Sequence, residues 1–562
     1  MNIIKFSSFF IRSKFNIKKT FNLTRAYDKI KKTNLFNEEF YLEKYPKVSK
    51  KRIGPLEYYL IYGYLEGHIP SLDFDPDFYL TNYVDVKNSG MNPLVHYALY
   101  GANEGKLIQK SPSILKHEEI INTNRNILSN YNFDEEPLVS IIILNRNGIT
   151  HLKRLFKDFR EKTNYDNFEI IIVDNASSDE SLDYLKELQK NLPIKIIEND
   201  INVSFSKGNN DAAKIANGEY LLLLNNDIEP TYGWLNEMMG TMLFNDDNVG
   251  AVGAKLIFPY YFDYKNKKKS YKIQHAGDIF AERIKPCCLY AKNKSPEYDI
   301  FDSRICGNKE CIAVTGAVML VNKEIYCKCG GLNEKYNYGL EDVDFALKLH
   351  KNNYKTIFSG KSLLFHHESS TRTKDKDYFE NDKKNFNIFW NIWGDYLSKN
   401  MLIDKINYNN LFTEKRLKIV LIDKHYKRNK NSHEMLKGIS KGFNDLGYDL
   451  DLITDDADYV FENSSDILVS FDLEYDISKI DARDDLVRIF SLNDFNFSKN
   501  DDLSKLDFYD VVICSKNQTY NYLKENTSIK HIFKINNESF TEYSRDVIKN
   551  LEGILKNSEG FL

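Results

Sequence analysis

The sequence predicts a multidomain α/β protein, and three observations lead there. At 562 residues the chain exceeds what one ordinary core supports, so several domains are expected. Two stretches, one starting near Leu138 and one near Leu417, alternate short continuous apolar runs with amphipathic segments. That is the pattern of buried parallel strands covered by helices on both faces. Ahead of them a unit of 38 residues occurs twice in tandem, with its apolar positions at helical spacing. Hydrophobic residues at 42% and charged residues at 28% supply enough apolar surface for several cores.

Taken in order, residues 1–35 form a basic leader. Lys and Arg interrupt its apolar stretch, MNIIKFSSFFIRSKFNIKKTFNL, so the uninterrupted apolar segment of a signal peptide is missing. Two readings stay open for it: a basic amphipathic helix lying on a membrane surface, or a solvated leader. The segment from Phe36 aligns without gaps on the segment from Phe74, pairing Phe40 with Phe78, Tyr41 with Tyr79, Pro55 with Pro93, Tyr59 with Tyr97, Gly63 with Gly101 and Gly67 with Gly105. Pro stands where a second helix would start and Gly where helices stop, so each copy within 36–109 is expected to be a helical hairpin with a core of aromatics. Residues 110–137 are polar and Asn-rich and read as a connector.

The next region, 138–402, carries apolar runs of strand length at 138–144, 168–174, 193–199, 219–225 and 314–321. THLKRLFKDFRE and SLDYLKELQKNL read as helices between them, and a parallel sheet follows from the alternation. Residues 415–562 repeat the pattern with LKIVLID, a helix over Ser432–Leu446, then LDLITD, DILVSF, LVRIFSL, DVVICS and IFKI. This second region reads as a Rossmann-like domain without a Gly-x-Gly-x-x-Gly dinucleotide fingerprint.

Composition removes several classes of function. Basic and acidic side chains number 77 and 81, for a net charge of −4, so no global field favours nucleic acid or anionic lipid. No run of 18 apolar residues is present, which argues against a membrane span. Seven cysteines, an odd number, make no disulfide framework, and neither Cys287-Cys288 nor Cys327 with Cys329 has zinc-ligand spacing. A reduced, cytoplasmic setting is expected.

In doubly wound sheets ligands sit outside the carboxyl ends of the strands, so the residues where strands stop matter most. The first apolar run ends in Asn145-Arg146-Asn147-Gly148, the second in Asp174-Asn175-Ala176-Ser177-Ser178-Asp179 and the fourth in Asn225-Asn226-Asp227. A later helix start carries Glu341-Asp342-Val343-Asp344. Such a set supplies a carboxylate to accept a base N–H, amides to bond a ribose, and a carboxylate with neighbouring oxygens for a hard cation. Each has a plainer reading as well: Asp174 and Asp179 as turn and cap residues, Asp227 as loop, Glu341 or Asp344 as an acidic cap.

VSIIILNRNG, FEIIIVDNASSDES, NVSFSKGNN, GEYLLLLNND and TGAVMLVNKEIYCKCGGLNEKYNYGLEDVDFALKL resemble successive signatures of family 2 glycosyltransferases with the GT-A fold. IQHAGDIF and LFHHESSTR are similar to segments of bacterial enzymes of this kind that act on surface polysaccharides or glycoproteins. The resemblance implies a metal-dependent, inverting transferase that moves a hexosyl or deoxyhexosyl group from a UDP- or dTDP-linked donor. A hydroxyl of a surface glycan, a lipid-linked saccharide or a protein would receive it. It implies Asp174, Asn145 and Arg146 near the base, Gly208 and Asn210 near the nucleotide, and Asn175 and Asn226 among the other nucleotide-sugar contacts. Asp227, with Asn225 and His366, would hold Mn²⁺ or Mg²⁺, His367 would be supporting, and Asp342, with Glu341 beside it, would be the catalytic base. The charge balance leaves no nucleic-acid partner expected, and the basic N-terminus keeps peripheral contact with the inner face of the cytoplasmic membrane open.

Two departures are visible. The family's usual Asp-x-Asp is Asn225-Asn226-Asp227 here, and Ser204 replaces a glycine of the third signature. The first allows a competing reading, a non-catalytic carbohydrate-binding or scaffold protein with a degenerate GT-A domain. A sugar-1-phosphate nucleotidyltransferase would need a Gly-rich basic loop after the first strand, which NRNGITHLKR does not supply. The C-terminal region resembles half of a GT-B enzyme, and an acceptor-binding or assembly role is expected for it.

Overall fold

The computed structural model describes residues 17–557 except 34, 39–40, 43–44, 72–73, 107, 109–111, 246–247, 264–267, 284–287, 294–297, 338, 368–377, 424–429, 455–464, 474, 476, 478–485, 493–502 and 536–538. The chain divides into two compact units, 1–123 and 124–562.

In the first unit the helix Ile17–Ile30 buries Leu23, Ala26 and Ile30 in one core with Tyr41, Tyr59, Tyr79 and Leu94. Residues 17–30, expected to belong to a leader, are therefore part of the repeat core, because their apolar positions fall on one helical face. The remainder of the expected leader, 1–16, lies outside the described residues. In both copies a short helix starts at the proline, Pro55–Tyr58 and Pro93–His96, and widens into a π-helical turn, Tyr59–Gly63 and Tyr97–Gly101. The reason for glycine at the end of each turn is close approach. A Cβ on Gly63 would lie 2.4 Å from the Tyr41 hydroxyl, and one on Gly101 2.2 Å from the Tyr79 hydroxyl. Those hydroxyls are in turn held by His68 at 2.8 Å and His96 at 3.0 Å.

The second unit contains two large sheets. Strands β1 (Val139–Asn145), β2 (Phe168–Asn175), β3 (Ile194–Asn199) and β4 (Tyr220–Asn225) run parallel, followed by a short β5 (Ile228–Pro230). Then come β6 (Val249–Asp263), β7 (Lys268–His275), β8 (Asp278–Arg283), β9 (Cys288–Asn293), β10 (Asn308–Cys311), β11 (Val318–Asn322) and β12 (Lys355–His366). The main order is β10-β12-β6-β11-β4-β1-β2-β3, with β5 on β12 and β7 on β6, while β8 and β9 pair separately.

The expectation of a purely parallel sheet needs correction, since β11 runs antiparallel to both β4 and β6. An apolar run such as VTGAVMLV encodes burial but not direction. The stretch THLKRLFKDFRE is also not one helix. It breaks into Ile149–Leu155 and Phe159–Thr163 around Asp158, whose φ is +56°. Within the expected connector, Pro112–Ile127 is helical, and Tyr131 and Phe133 stack on Phe244.

The second sheet is built from β13 (Lys418–Ile422), β14 (Asp449–Ile453), β15 (Ile467–Ser470), β16 (Val487–Ser491), β17 (Val511–Cys514) and β18 (His531–Lys534). All pair in parallel in the order β14-β13-β15-β16-β17-β18, the doubly wound arrangement expected for this region. One helix, Tyr378–Asn407, serves both sheets. Its Phe389, Trp393 and Leu397 pack with Val343 and Leu347, whereas its Leu402 and Ile406 belong to the core of the second sheet. Lys405 also makes a 2.6 Å ion pair with Asp466, both buried, so the helix is anchored well beyond residue 402.

The close contact in the repeats gives a test. Gly101→Ala should destabilise the chain by about 1–3 kcal/mol through overpacking. Tyr79→Phe in the same chain should recover part of that by removing the obstructing oxygen. Denaturant titration reads both, and an unchanged midpoint for Gly101→Ala would contradict the packing argument.

Candidate active site

The register of the parallel strands sets the first part of the site. Asn145 lies opposite Asp174 across β1 and β2, and Leu144 opposite Asn225 across β1 and β4. Asn145, 1% exposed, joins all three strand ends. Its amide donates to Asp174 Oδ1 at 3.0 Å and to Ser177 Oγ at 3.2 Å, and its oxygen accepts from the Asn226 amide at 2.9 Å. Asp174 also accepts from the Ser177 backbone at 2.9 Å and hydroxyl at 2.6 Å. Gly148 closes against this network, because a Cβ there would come within 2.4 Å of both Asn145 and Asn226. Around it Asn147 and Ala176 hold φ of +50° and +55°, conformations that cost energy away from glycine.

The structure thus brings Asn145, Asp174 and Asn226 together, with Arg146 exposed beside them. Asn175 turns toward β3, donating to Val203 O at 3.2 Å and accepting from Asn199 at 2.9 Å. Asn210 stands apart. Its amide donates to Leu332 O and Glu334, both at 2.9 Å, and its oxygen accepts from Tyr326 at 2.6 Å and the Leu332 N–H at 3.0 Å. Gly208 lies in the same helix, Phe205–Ile215, directly over Leu144. Ser204, at the position of the replaced glycine, caps that helix by accepting from Lys207 N at 3.2 Å.

Asp227 follows β4, and β12 delivers His366 to it through the pairing of His366 with Ile228. His366 Nε2 lies 3.2 Å from Asp227 Oδ1. Burial pushes the Asp227 carboxyl up, but the contact with His366, then the charges of His366 and His151, outweigh burial and leave it below its ordinary value. His366 Nδ1 and His151 Nδ1 are buried without a hydrogen-bond partner among the described residues, and buried Asp227 Oδ1 has His366 Nε2 as its contact. His367 supports the corner, with its N–H donating to Asp227 O at 3.0 Å and its ring 2.8 Å from Glu229. Sequence reading missed His151, since a single His in an amphipathic helix carries no signal.

A buried carboxylate together with unpartnered imidazole nitrogens fits a divalent cation that takes its remaining positions from diphosphate oxygens and water. Among the described residues no group of three or more His, Cys, Asp and Glu side chains is arranged to hold a metal alone.

The third part is the start of the helix Glu341–Lys351, entered through Leu340 at φ +72°. Asp342 accepts from Gly316 N at 2.8 Å and from its neighbour Val343 N at 2.9 Å, which fixes its carboxylate at the helix start. Glu341 is buried beside it. Asp344 is not a surface cap. It is fully buried, accepts from Trp393 Nε1 at 2.9 Å and Tyr336 at 3.2 Å, and pairs with Lys348 at 2.9 Å. Asp344→Asn would therefore act on stability.

Two more residues enter from the corner between β7 and β8. His275, 4% exposed, has its imidazole pushed down to about 3 by burial first and the charge of His366 second. Asp278 has its carboxyl pushed up to about 8, by burial first and the charge of Asp342 second. IQHAGDIF was singled out as a motif, but its β-corner geometry, which aims both side chains inward, was not legible.

Residues 140–294 match the family model of glycosyl transferase family 2. The chain is similar to that family over this segment. Over 241 residues it is 30% identical to an uncharacterized protein of Sinorhizobium fredii, covering 42% of this chain and 25% of that protein. Over 244 residues it is 30% identical to the O-antigen biosynthesis protein RfbC of Myxococcus xanthus, covering 42% of this chain and 18% of that one. The chain thus spans a quarter or less of the length of these relatives. Among solved structures it is similar to GalNAc-T7 with UDP, GalNAc and Mn²⁺, at 17% identity and TM-score 0.34, covering 45% of this chain and 48% of that one. Likewise it is similar to S. aureus TarS 1–349 with UDP, at 17% identity and TM-score 0.30, covering 53% and 75%.

Asp278 offers a pH test of the site's electrostatics. An unfolded Asp ionises near about 4, so the folded chain holds an extra proton from there up to about 8 and loses stability as pH rises across that window. Asp278→Asn, neutral throughout, should raise the unfolding midpoint at pH 7 by roughly 2–4 °C or more, with the gain shrinking toward pH 4. A gain equal at both pH values would refute the assignment.

Proposed function

We propose that this family 2 domain catalyses inverting transfer of a sugar from a UDP- or dTDP-linked donor to a hydroxyl of a surface glycan, a lipid-linked saccharide or a protein. The observation that carries the reading is the convergence of three chemically distinct groups at one end of the sheet. These are the amide and carboxylate network of Asn145, Asp174 and Asn226, the buried Asp227 beside His366, and the fixed carboxylate of Asp342. In this reading Asp174 and its amide partners take the base and ribose, with Arg146 at the rim. Asp227, His366 and Asn225 would hold Mn²⁺ or Mg²⁺, which when bound neutralises charge on the departing diphosphate.

Asp342 then receives the proton of the acceptor hydroxyl as that oxygen bonds the anomeric carbon and the bond to the diphosphate oxygen breaks. Its two backbone hydrogen bonds leave lone pairs for the incoming proton while holding the group in line. The domain's place in the cell is proposed as cytoplasmic, at the inner face of the membrane. No described helix is long and apolar enough to cross a membrane.

Asp342→Asn should lower kcat by roughly two to four orders of magnitude, the contribution of a positioned base, without changing nucleotide affinity. Asp183→Asn, an exposed carboxylate in the helix Ser181–Leu188, serves as the control and should match the parent. Released nucleotide, followed across a panel of nucleotide sugars, is the readout. Parental turnover in Asp342→Asn would remove it as the base, and no turnover of any donor by the parent chain would favour a non-catalytic, carbohydrate-binding role.

A further inference from the structure

The turn Thr315-Gly316-Ala317, which leads into β11, is tied on three sides. Gly316 N donates to Asp342 Oδ2 at 2.8 Å. Ala317 O accepts from Asn225 N at 2.9 Å, joining the turn to the strand end that precedes Asp227. Thr315 N donates to His275 Nε2 at 3.3 Å, and the same nitrogen accepts from Gly277 N at 3.3 Å. A ring nitrogen that accepts two N–H bonds carries no proton, so the imidazole is neutral with its proton on Nδ1. That Nδ1 faces Asp278 at 3.6 Å. His275 is thus a buried acceptor holding together two backbone corners, one of which presents the N–H that fixes the base. Its orphan alternative is costly, since removing the ring would leave two buried N–H groups unmatched.

We propose that His275 is a positioning residue of the transfer reaction, acting through the Thr315-Gly316 turn to hold Asp342 in register with the cation-bearing strand end. The proposal rests on the reading of Asp342 as the base, and it assigns His275 no contact with donor or acceptor. A displacement of the carboxylate by about an ångström is enough to cost roughly a hundredfold in rate, so the effect falls on kcat. Nucleotide contacts on β1 and β2 lie outside this chain of bonds and keep their affinity.

The test compares His275→Leu, which fills space without an acceptor, with His275→Gln, whose amide oxygen reaches the Nε2 position. His275→Leu should lower kcat about tenfold to a hundredfold with UDP and dTDP affinity unchanged, and His275→Gln should recover most of the loss. In an Asp342→Asn background His275→Leu should cost nothing further, because a residue acting only through the base has nothing left to position. Should His275→Leu not fold, His275→Asn takes its place, being too short to reach the two N–H groups, with the same loss expected. A parental kcat in the acceptor-less variant, a Gln variant as impaired as Leu, or full additivity with Asp342→Asn would each overturn the proposal. Failure of the base reading is separate: there Asp342→Asn alone would turn over at the parental rate.

Discussion

The hydrogen bonding of Asn145 is the constraint on which the catalytic face depends. One side-chain amide, buried where β1 stops, spends its donors on Asp174 and Ser177 and its oxygen on Asn226, and so locks three strand ends to each other. Parallel pairing in register places these groups side by side, and burial makes their mutual satisfaction obligatory. The positive φ angles of Asn147 and Ala176 are tolerated because this network over-determines the loops that carry them. Asp227 then emerges at a fixed height above the sheet, where β12 can bring His366 against it.

A second line of force runs through the helix Tyr378–Asn407. Near its middle Trp393 hydrogen-bonds the buried Asp344, two residues from Asp342. Near its end the Lys405–Asp466 pair is buried in the second sheet's region, and Asp404 accepts from the backbone N–H groups of Leu411, Phe412 and Thr413 at 3.0–3.1 Å. A buried ion pair broken on one side leaves an uncompensated charge at a cost of roughly 3–5 kcal/mol. The C-terminal region therefore bears on the helix that backs Asp342, and removing it would disturb the first sheet's support as well as expose Leu402 and Ile406.

Much of this was legible in the sequence, for identifiable reasons. Continuous apolar runs located β1 to β4 and all six strands of the second sheet, most plainly β1, β2, β4, β15 and β17, which are buried on both faces. Polar residues at the ends of those runs pointed to Asp174 and Asn225-Asn226-Asp227, and the acidic start of a later helix to Asp342. What stayed hidden had no local signature. The antiparallel direction of β11, the long pairing of β6 with β7 and the inward aim of His275 and Asp278 depend on contacts far apart in the chain. Asn210 shows the converse, a residue chosen for its motif whose amide is committed to the Leu332–Glu334 segment. Asp344, open in sequence to a reading as an acidic cap, lies on the buried side of its helix.

In the proposed function the strand-end network and Asp227 form one site, in which nucleotide diphosphate and cation bind together. Calorimetric titration of the full chain with UDP and with dTDP, each with and without Mn²⁺, tests it most directly. Cation and nucleotide each supply ligands that the other lacks, so Mn²⁺ should tighten the binding of one of these nucleotides at least about tenfold. Equal affinity with and without the cation, or no binding of either nucleotide in its presence, would contradict the account.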